Sequence, residues 1–396
     1  MHSQYIVLPE GLSFNKVFSV KPEPVTTLWY FLHSIPDPRR AQGKRHPLPV
    51  ILILALLALC SGHTSYQAME EWAENYQELV ENILPFLAGH TPDAATFHRV
   101  FTKLEVGIFE EVLGNWLQQI IPQQIGEGIA IDGKTISGTG IHIVAAFTHT
   151  LQAVLFERGT EEKGKEIVIA PEVLQNIPIK HHIVTGDAMF TQRKICEQIS
   201  TGEGGYVFTV KGNQPQLEEA IRLYFADLPW KAPIQHHTMI SYWKGRKEKR
   251  HLRMSNDPQL LSYLNWPGLT HVWECTREIK HRGKSTTEVA VGVASFPPAL
   301  ENLGTAEKLN QYLRGHWGIE NGLHRTRDVS FKEDKATIRK GNAPQVMAAL
   351  RNLVISILHR GTVRSFQTAF RRFTAHPEEL FQFLGLTTVA KTAILI

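Results

Sequence analysis

Cysteine is scarce in this chain: Cys60, Cys196 and Cys275 are the only three among 396 residues, and none stands in CxxC spacing. That excludes a disulfide framework and a zinc-ligand set, and it fits a reducing cytoplasm. Long apolar runs are lacking as well. The most apolar stretch, PVILILALLALC from Pro49 to Cys60, is about a dozen residues where a membrane span takes about 20, and it starts too far along the chain for a signal peptide. It reads as a buried helix, and no membrane partner is expected. Internal repeats, low-complexity tracts and long linkers are absent too. Charge of one sign does not dominate: 42 Lys and Arg stand against 38 Asp and Glu, a formal net charge of +4. A nucleic-acid surface therefore has to be built from local patches. What is present, 43% hydrophobic residues with ordinary Gly and Pro content, suffices for one large core and a smaller satellite domain.

Residues 1–122 read as helices separated by turns. TLWYFLHSI, the buried run, YQAMEEWAENYQELVENILPFL and FEEVLGNWLQQII have apolar residues at helical spacing. In TPDAATFHRVFTKL, Thr91 is the expected N-cap and Pro92 the first helical residue. Arg39, Arg40, Lys44 and Arg45 crowd one connection, either as a solvated turn or as a phosphate contact. From Ile129 the pattern changes to short β-rich runs, GIAIDGKTI, HIVAAFTHT and AVLFERGT, spaced for an antiparallel meander. Helical and strand-like segments then alternate through QPQLEEAIRLYFADL, which implies parallel strands with right-handed crossovers joined to the meander. The expected fold class is α/β, a mixed sheet with helices on both faces. A β element inserted at about 230–300 carries the basic stretch ISYWKGRKEKRHLRM, with Lys244, Arg246, Lys247, Lys249 and Arg250. Helices return from AEKLNQYLRGHW and end near Leu384, leaving 385–396 as a tail.

GIAIDGKT, Gly128 to Thr135, matches the phosphate-loop pattern G-x-x-x-x-G-K-[ST] letter for letter. A true phosphate loop has its strand before the first glycine and a helix after the lysine. Here apolar strand residues occupy the loop and a second strand follows, so the nucleotide-binding reading fails. Asp132 remains as a carboxylate in an apolar strand, either capping the turn at Gly133 or serving a site. Asp187 ends the strand HHIVTG, and the topology puts the two acids side by side at the sheet centre, where like charges need protonation, hydrogen bonds or a cation. Along QYLRGHWGIENGLHRTRD, helical spacing lines up Leu313, His316, Glu320, His324 and Arg327. Glu320 is thus a third acid. Three such acids suit two divalent ions about 4 Å apart, the arrangement for in-line displacement at a phosphodiester. His316, Arg327 and Lys211 are the candidate phosphate contacts beside them.

IAIDGKT, IVTGDAM, VKGNQ and RGHWGIENGLH…DVSFKED resemble the DDE transposases of bacterial insertion sequences, in the branch of the H-repeat-associated proteins. IPDPRRAQGKRHPL and TFHRVFTKL resemble the helical segment that precedes the catalytic domain there, so the likeness covers almost the whole chain. The resemblance implies an RNase H-like catalytic domain at 123–384 with the β insertion, preceded by an N-terminal helical domain for DNA binding or assembly. It implies Asp132, Asp187 and Glu320 as catalytic triad and metal ligands, and two Mg2+ ions with Mn2+ as a substitute. Cleavage at element ends, joining of the 3′ hydroxyl to target DNA, and a homodimer on double-stranded DNA in the bacterial nucleoid follow from the same likeness, with His324 beside the triad among the DNA contacts. Leu313, His316 and Arg327 stand where the wider class often has tyrosine, arginine and lysine. A second expectation is a transposase-derived protein that binds DNA without cutting it.

Overall fold

The computed structural model describes residues 25–84, 89–122, 124–162, 164–243, 245–361, 363, 365–384 and 386. The chain forms two compact units, Ile121–Arg325 and a helical unit made of Met1–Ile120 with Thr326–Ile396. The segment expected to run on to 384 instead divides at Arg325, its last helices clustering with the N-terminal ones. Of the expected tail 385–396, only Leu386 lies among the described residues.

The Ile121–Arg325 unit is built on one nine-stranded mixed sheet of order β3-β2-β1-β4-β5-β9-β8-β7-β6. Its strands are β1 Gly128–Thr135, β2 His142–Thr148, β3 Val154–Thr160, β4 Ile183–Gly186, β5 Gly205–Val210, β6 Ile234–Trp243, β7 Arg246–Ser255, β8 His271–His281 and β9 Lys284–Ser295. The expected α/β fold with helices flanking a mixed sheet is what forms. β1 to β3 are the antiparallel meander. Helices Glu166–Gln175 and Arg193–Thr201 then carry the chain over to β4 and β5, which lie parallel to β1. Every residue of β4 is buried, as a short apolar strand covered on both sides requires. GIAIDGKT is β1 itself, paired with β2 from Ile129↔Thr148 to Thr135↔His142, so no phosphate cradle exists there.

The inserted element is two hairpins, β6–β7 and β8–β9, with the basic stretch in the first. It extends the central sheet through antiparallel pairing of β9 with β5. Helix Ala306–Gly318, capped by Thr305 Oγ1 accepting from Lys308 N at 3.2 Å, packs across β1, β4, β5, β6 and β7. Leu309 and Tyr312 share one core with Val207, Leu252 and Trp273. Insertion and central strands therefore bury their apolar side chains together.

In the helical unit, Leu48–Cys60 is buried at every position, as its unbroken apolar run predicts, and no helix among the described residues is long and apolar enough to cross a membrane. The three cysteines are free and buried. The helix Ala94–Lys103 is capped by Asp93, which accepts from Thr96 N at 2.7 Å. The cap is thus two residues beyond Thr91, because Pro92 precedes the helix. Buried in the unit, Glu333 accepts from Arg327 Nε at 3.0 Å and from Arg351 Nη1 at 2.9 Å, with all three side chains at most 2% exposed. Burial pushes the Arg351 guanidinium below its ordinary pKa and the Glu333 charge opposes that. Glu333→Gln leaves two buried cations with a neutral partner, so it should destabilise the fold by about 3–5 kcal/mol. Denaturant unfolding checks this, and a loss within error of zero refutes the pairing account.

Candidate active site

The site starts from a register. Parallel β1 and β4 pair Ile131 with Gly186, so the next residues, Asp132 inside β1 and Asp187 just past the end of β4, stand beside one another on neighbouring strands, which are spaced about 4.8 Å apart. Asp132 Oδ1 accepts from Gly133 N at 2.8 Å, and Oδ2 lies 3.2 Å from His324 Nε2. Asp187 leads into the tight turn Ala188–Phe190, and its Oδ1 lies 3.5 Å from His316 Nε2.

Glu320 arrives from the other side. The α-helix ends at Gly318, and Ile319–His324 forms a π-helical turn that packs against β1 and β2. Such turns are uncommon and concentrate at functional sites. Partial burial, then the charges of Asp132 and Asp187, push the Glu320 carboxyl above its ordinary range, with His316 and His324 opposing. The Asp187 carboxyl goes the other way. Its interaction with His316 lowers it against partial burial, helped by the charges of His316 and Lys211. Among the described residues no three His, Cys, Asp or Glu are gathered tightly enough to hold a metal ion. The three acids share a field without forming a closed ligand cage.

Behind the acids runs a chain absent from the sequence reading. His149 Nε2 is 2.9 Å from Thr185 Oγ1, which is 3.2 Å from His316 Nδ1. Burial and the neighbouring His316 bring the His149 pKa down to about 3, so its ring is neutral. The ring fits between two glycines: a Cβ on Gly128 or on Gly315 would stand 2.3 or 2.2 Å from His149 Nδ1. Glycines facing each other across a buried imidazole are a tertiary feature, and only the polar THT at the end of β2 hinted at it.

The predicted DNA contacts separate by exposure. Arg40, Arg45, Lys211 and Lys247 are exposed and Lys249 half-buried. Arg39 is committed to Asp37 and to the carbonyl of His46, and Lys44 lies 3.7 Å from Asp37. Lys244 lies outside the described residues. His316 and His324 face carboxylates within the site. Arg327 requires correction: it is fully buried against Glu333 and open to no phosphate. The helical stripe that included it is interrupted by the π turn, and at Thr326 the chain enters the helical unit, taking Arg327 with it.

Arg250 also needs correcting, since its side chain is 6% exposed. Strand alternation places Glu248, Arg250, Leu252 and Met254 on the buried face of β7. Glu248 accepts from Arg250 at 2.6 Å and from Arg246 and Arg277 at 3.3 Å, with Arg314 at 3.7 Å. Arg277 and Arg250 lie 4.5 and 6.0 Å from the Trp317 ring centre. These side chains, with Asp187, Lys211 and His316, line a cavity of about 110 Å3.

A mixed sheet with adjacent acids on its central strands and a third acid from a later helix defines a transposase of the DDE class. The chain belongs to the family described as "Transposase DDE domain", whose model matches residues 122–357. A "DDE_Tnp_1-associated" family matches residues 29–117. Among relatives, the H repeat-associated putative transposase YhhI of Escherichia coli K12 is 32% identical over 351 residues, covering 85% of this chain and 91% of that protein. The putative protein YbfL of the same strain is likewise 32% identical over 351 residues, 85% and 91% of the two chains. The putative transposase YncI of Escherichia coli O157:H7 is 30% identical over 347 residues, 84% and 87%.

Burial alone would raise the Glu248 carboxyl, but hydrogen bonds and charges from Arg250 and Arg277 overcome that and bring it from 4.5 to about 2. Its contribution to stability is therefore complete above about 4.5 and is lost as pH falls toward about 2. Glu248→Gln should be less stable at neutral pH and should flatten that acid limb in unfolding titrations. Parallel curves for parent and variant over this window would contradict the assignment.

Proposed function

We propose that this transposase cleaves the ends of its element and joins the freed 3′ hydroxyl to target DNA, with Asp132, Asp187 and Glu320 holding divalent metal ions. The observation that carries the reading is the coupling of Glu320 to both aspartates across a register that puts those two side by side. The family generally uses divalent ions, and the donor set suits Mg2+, with Mn2+ as substitute, because hard cations take carboxylate oxygens. Three acids with overlapping fields are an anionic site in want of positive charge. Closing them into a ligand set requires Glu320 to draw nearer, and it sits on the one π-helical turn among the described residues.

Bound ions would neutralise the scissile phosphate and activate the attacking oxygen. The chain's own groups do the rest. His324 and His316 fix the directions of Asp132 and Asp187, and the neutral His149 fixes His316 through Thr185. Lys211, exposed next to Asp187, receives a phosphate flanking the cut. Lys247 and Lys249 of the insertion and Arg40 and Arg45 of the helical unit hold the duplex. A homodimer would bring two element ends together.

Asp132→Asn and Glu320→Gln should each reduce nicking of an element-end duplex in Mg2+ by at least roughly 1000-fold, the scale of losing a catalytic group, with thermal stability kept or raised. A parent protein that binds the duplex and never nicks it would sink the reading in favour of a silent DNA-binding descendant. Variants that cut as well as the parent would sink the metal assignment.

For the insertion, Lys247→Gln with Lys249→Gln should reduce the magnitude of the slope of log affinity against log salt by roughly 2, one released counterion per lost contact. Arg250→Gln should instead lower the unfolding midpoint. A double lysine variant with the parent's slope removes this strand from the interface.

A further inference from the structure

The helical unit carries a cleft of about 350 Å3 that has no part in the site above. Three stretches far apart in sequence wall it: the turn after helix Leu48–Cys60, the segment around Lys332, and helix Phe366–Ala375. Two of its lining residues are cationic, Lys332 and Arg371, and none is acidic. Both are exposed. Of the acids near these cations in sequence, Glu333 is engaged by Arg327 and Arg351 and Glu379 by Arg372, while the exposed Asp334 does not line the cleft. Among the described residues neither the Lys332 nor the Arg371 side chain makes an ion pair or hydrogen bond.

Lys332 is held at φ 53°, in the left-handed region. That conformation costs a residue with a Cβ of the order of 1 kcal/mol or more, and it collects where function requires it.

The second observation is independent of charge. Ser61 lines the same cleft and is 4% exposed, yet its hydroxyl has no hydrogen-bond partner. Its own carbonyl is engaged, accepting from Thr374 Oγ1 at 2.8 Å. A buried donor without an acceptor is costly, and beside two cations and no acid the missing partner is an anionic oxygen. A phosphate oxygen meets all three needs: it pairs with Lys332 and Arg371 and accepts from Ser61.

We propose that this cleft is a docking site for the phosphodiester backbone of double-stranded DNA, separate from the catalytic acids. A polymer rather than a free anion is indicated by the ground around it. The chain leaving Lys332 passes the exposed Asp334 and continues with exposed Lys335, Arg339 and Lys340, three further cations that a single phosphate has no use for. The proposal rests on the reading of this protein as a DNA-processing enzyme, which supplies the polymer.

The full-length protein is titrated with a duplex of random sequence over a series of salt concentrations, and nicking of an element-end duplex is followed in parallel. Lys332→Gln with Arg371→Gln should lower the slope's magnitude by roughly 2, while nicking at saturating DNA persists. Ser61→Ala should weaken binding several-fold with the slope unchanged, because a neutral donor displaces no counterion. A double variant with the parent's slope, or a Ser61→Ala variant with the parent's affinity, overturns the proposal. A cleft made for a free anion would give a rise in melting temperature with inorganic phosphate that the double variant loses while its DNA slope stays intact, and that also overturns it. Lost slope with no nicking by the parent condemns the catalytic reading and leaves this one standing. Nicking by the parent with an unchanged slope condemns this one alone.

Discussion

Parallel pairing of β1 with β4 in one register, Ile131 opposite Gly186, is the constraint from which the catalytic unit follows. A shift by a single residue would turn Asp132 to the other face of the sheet. The register is secured by apolar residues on both strands, buried without exception from Gly128 to Ile131 and from Ile183 to Gly186. Hydrophobic burial thus fixes where two like charges stand, and it does so regardless of their repulsion. The imidazoles of His324 and His316 temper that repulsion, and the slot between Gly128 and Gly315 keeps His149 behind one of them. Folding energy comes from the apolar half of the strands, and the two aspartates stand just beyond it.

The parts legible in the sequence are those governed by local pattern. The meander, the alternation of strand and helix, the buried Leu48–Cys60 helix and the placing of one aspartate in a strand and another just past one all follow from periodicity and composition. Glu320 was legible by its position on a helical face. Arg327 was not, because a π turn at Ile319–His324 breaks the 3.6-residue repeat on which the stripe depended, and nothing in IENGLH announces the extra residue per turn. Arg250 was misread for a different reason. A run of six basic residues looks solvated, whereas its parity with Leu252 and Met254 places Arg250 on the covered face of β7. Charge density outweighed alternation in the reading, and alternation governs the structure. His149 and the cap at Asp93 depend on contacts or turn geometry that spacing alone does not encode.

The inserted hairpins are part of the same mechanical body as the acids. Helix Ala306–Gly318 rests on β1 and β4 at one side and on β6 and β7 at the other, and the π turn bearing Glu320 is its direct continuation. Glu248, gathering four arginines from β7, β8 and that helix, ties the insertion to the helix by charge as Leu252 and Trp273 tie it by burial. On the proposed reading, DNA held on Lys247 and Lys249 of β7 would pull on an element joined to Glu320 without an intervening loop. That is a physical route by which substrate binding bears on the geometry of the acids.

The two units treat buried charge in opposite ways. In the helical unit Glu333 is matched by two guanidiniums and closed off from water, so its charge is settled once the chain folds. Beside β1 and β4 three carboxylates meet two imidazoles, and the Glu320 carboxyl is raised first by burial and then by the charges of Asp132 and Asp187, which the imidazoles only partly offset. A fold that sets two guanidiniums around one carboxylate in one place has left three carboxylates short of positive charge in another. Incomplete compensation costs stability, and it is kept where a ligand is to complete it. The shortfall at Asp132, Asp187 and Glu320 is of the sign that a divalent cation corrects, and the cation would in turn supply the attraction that a DNA phosphate, repelled by bare carboxylates, needs in order to approach.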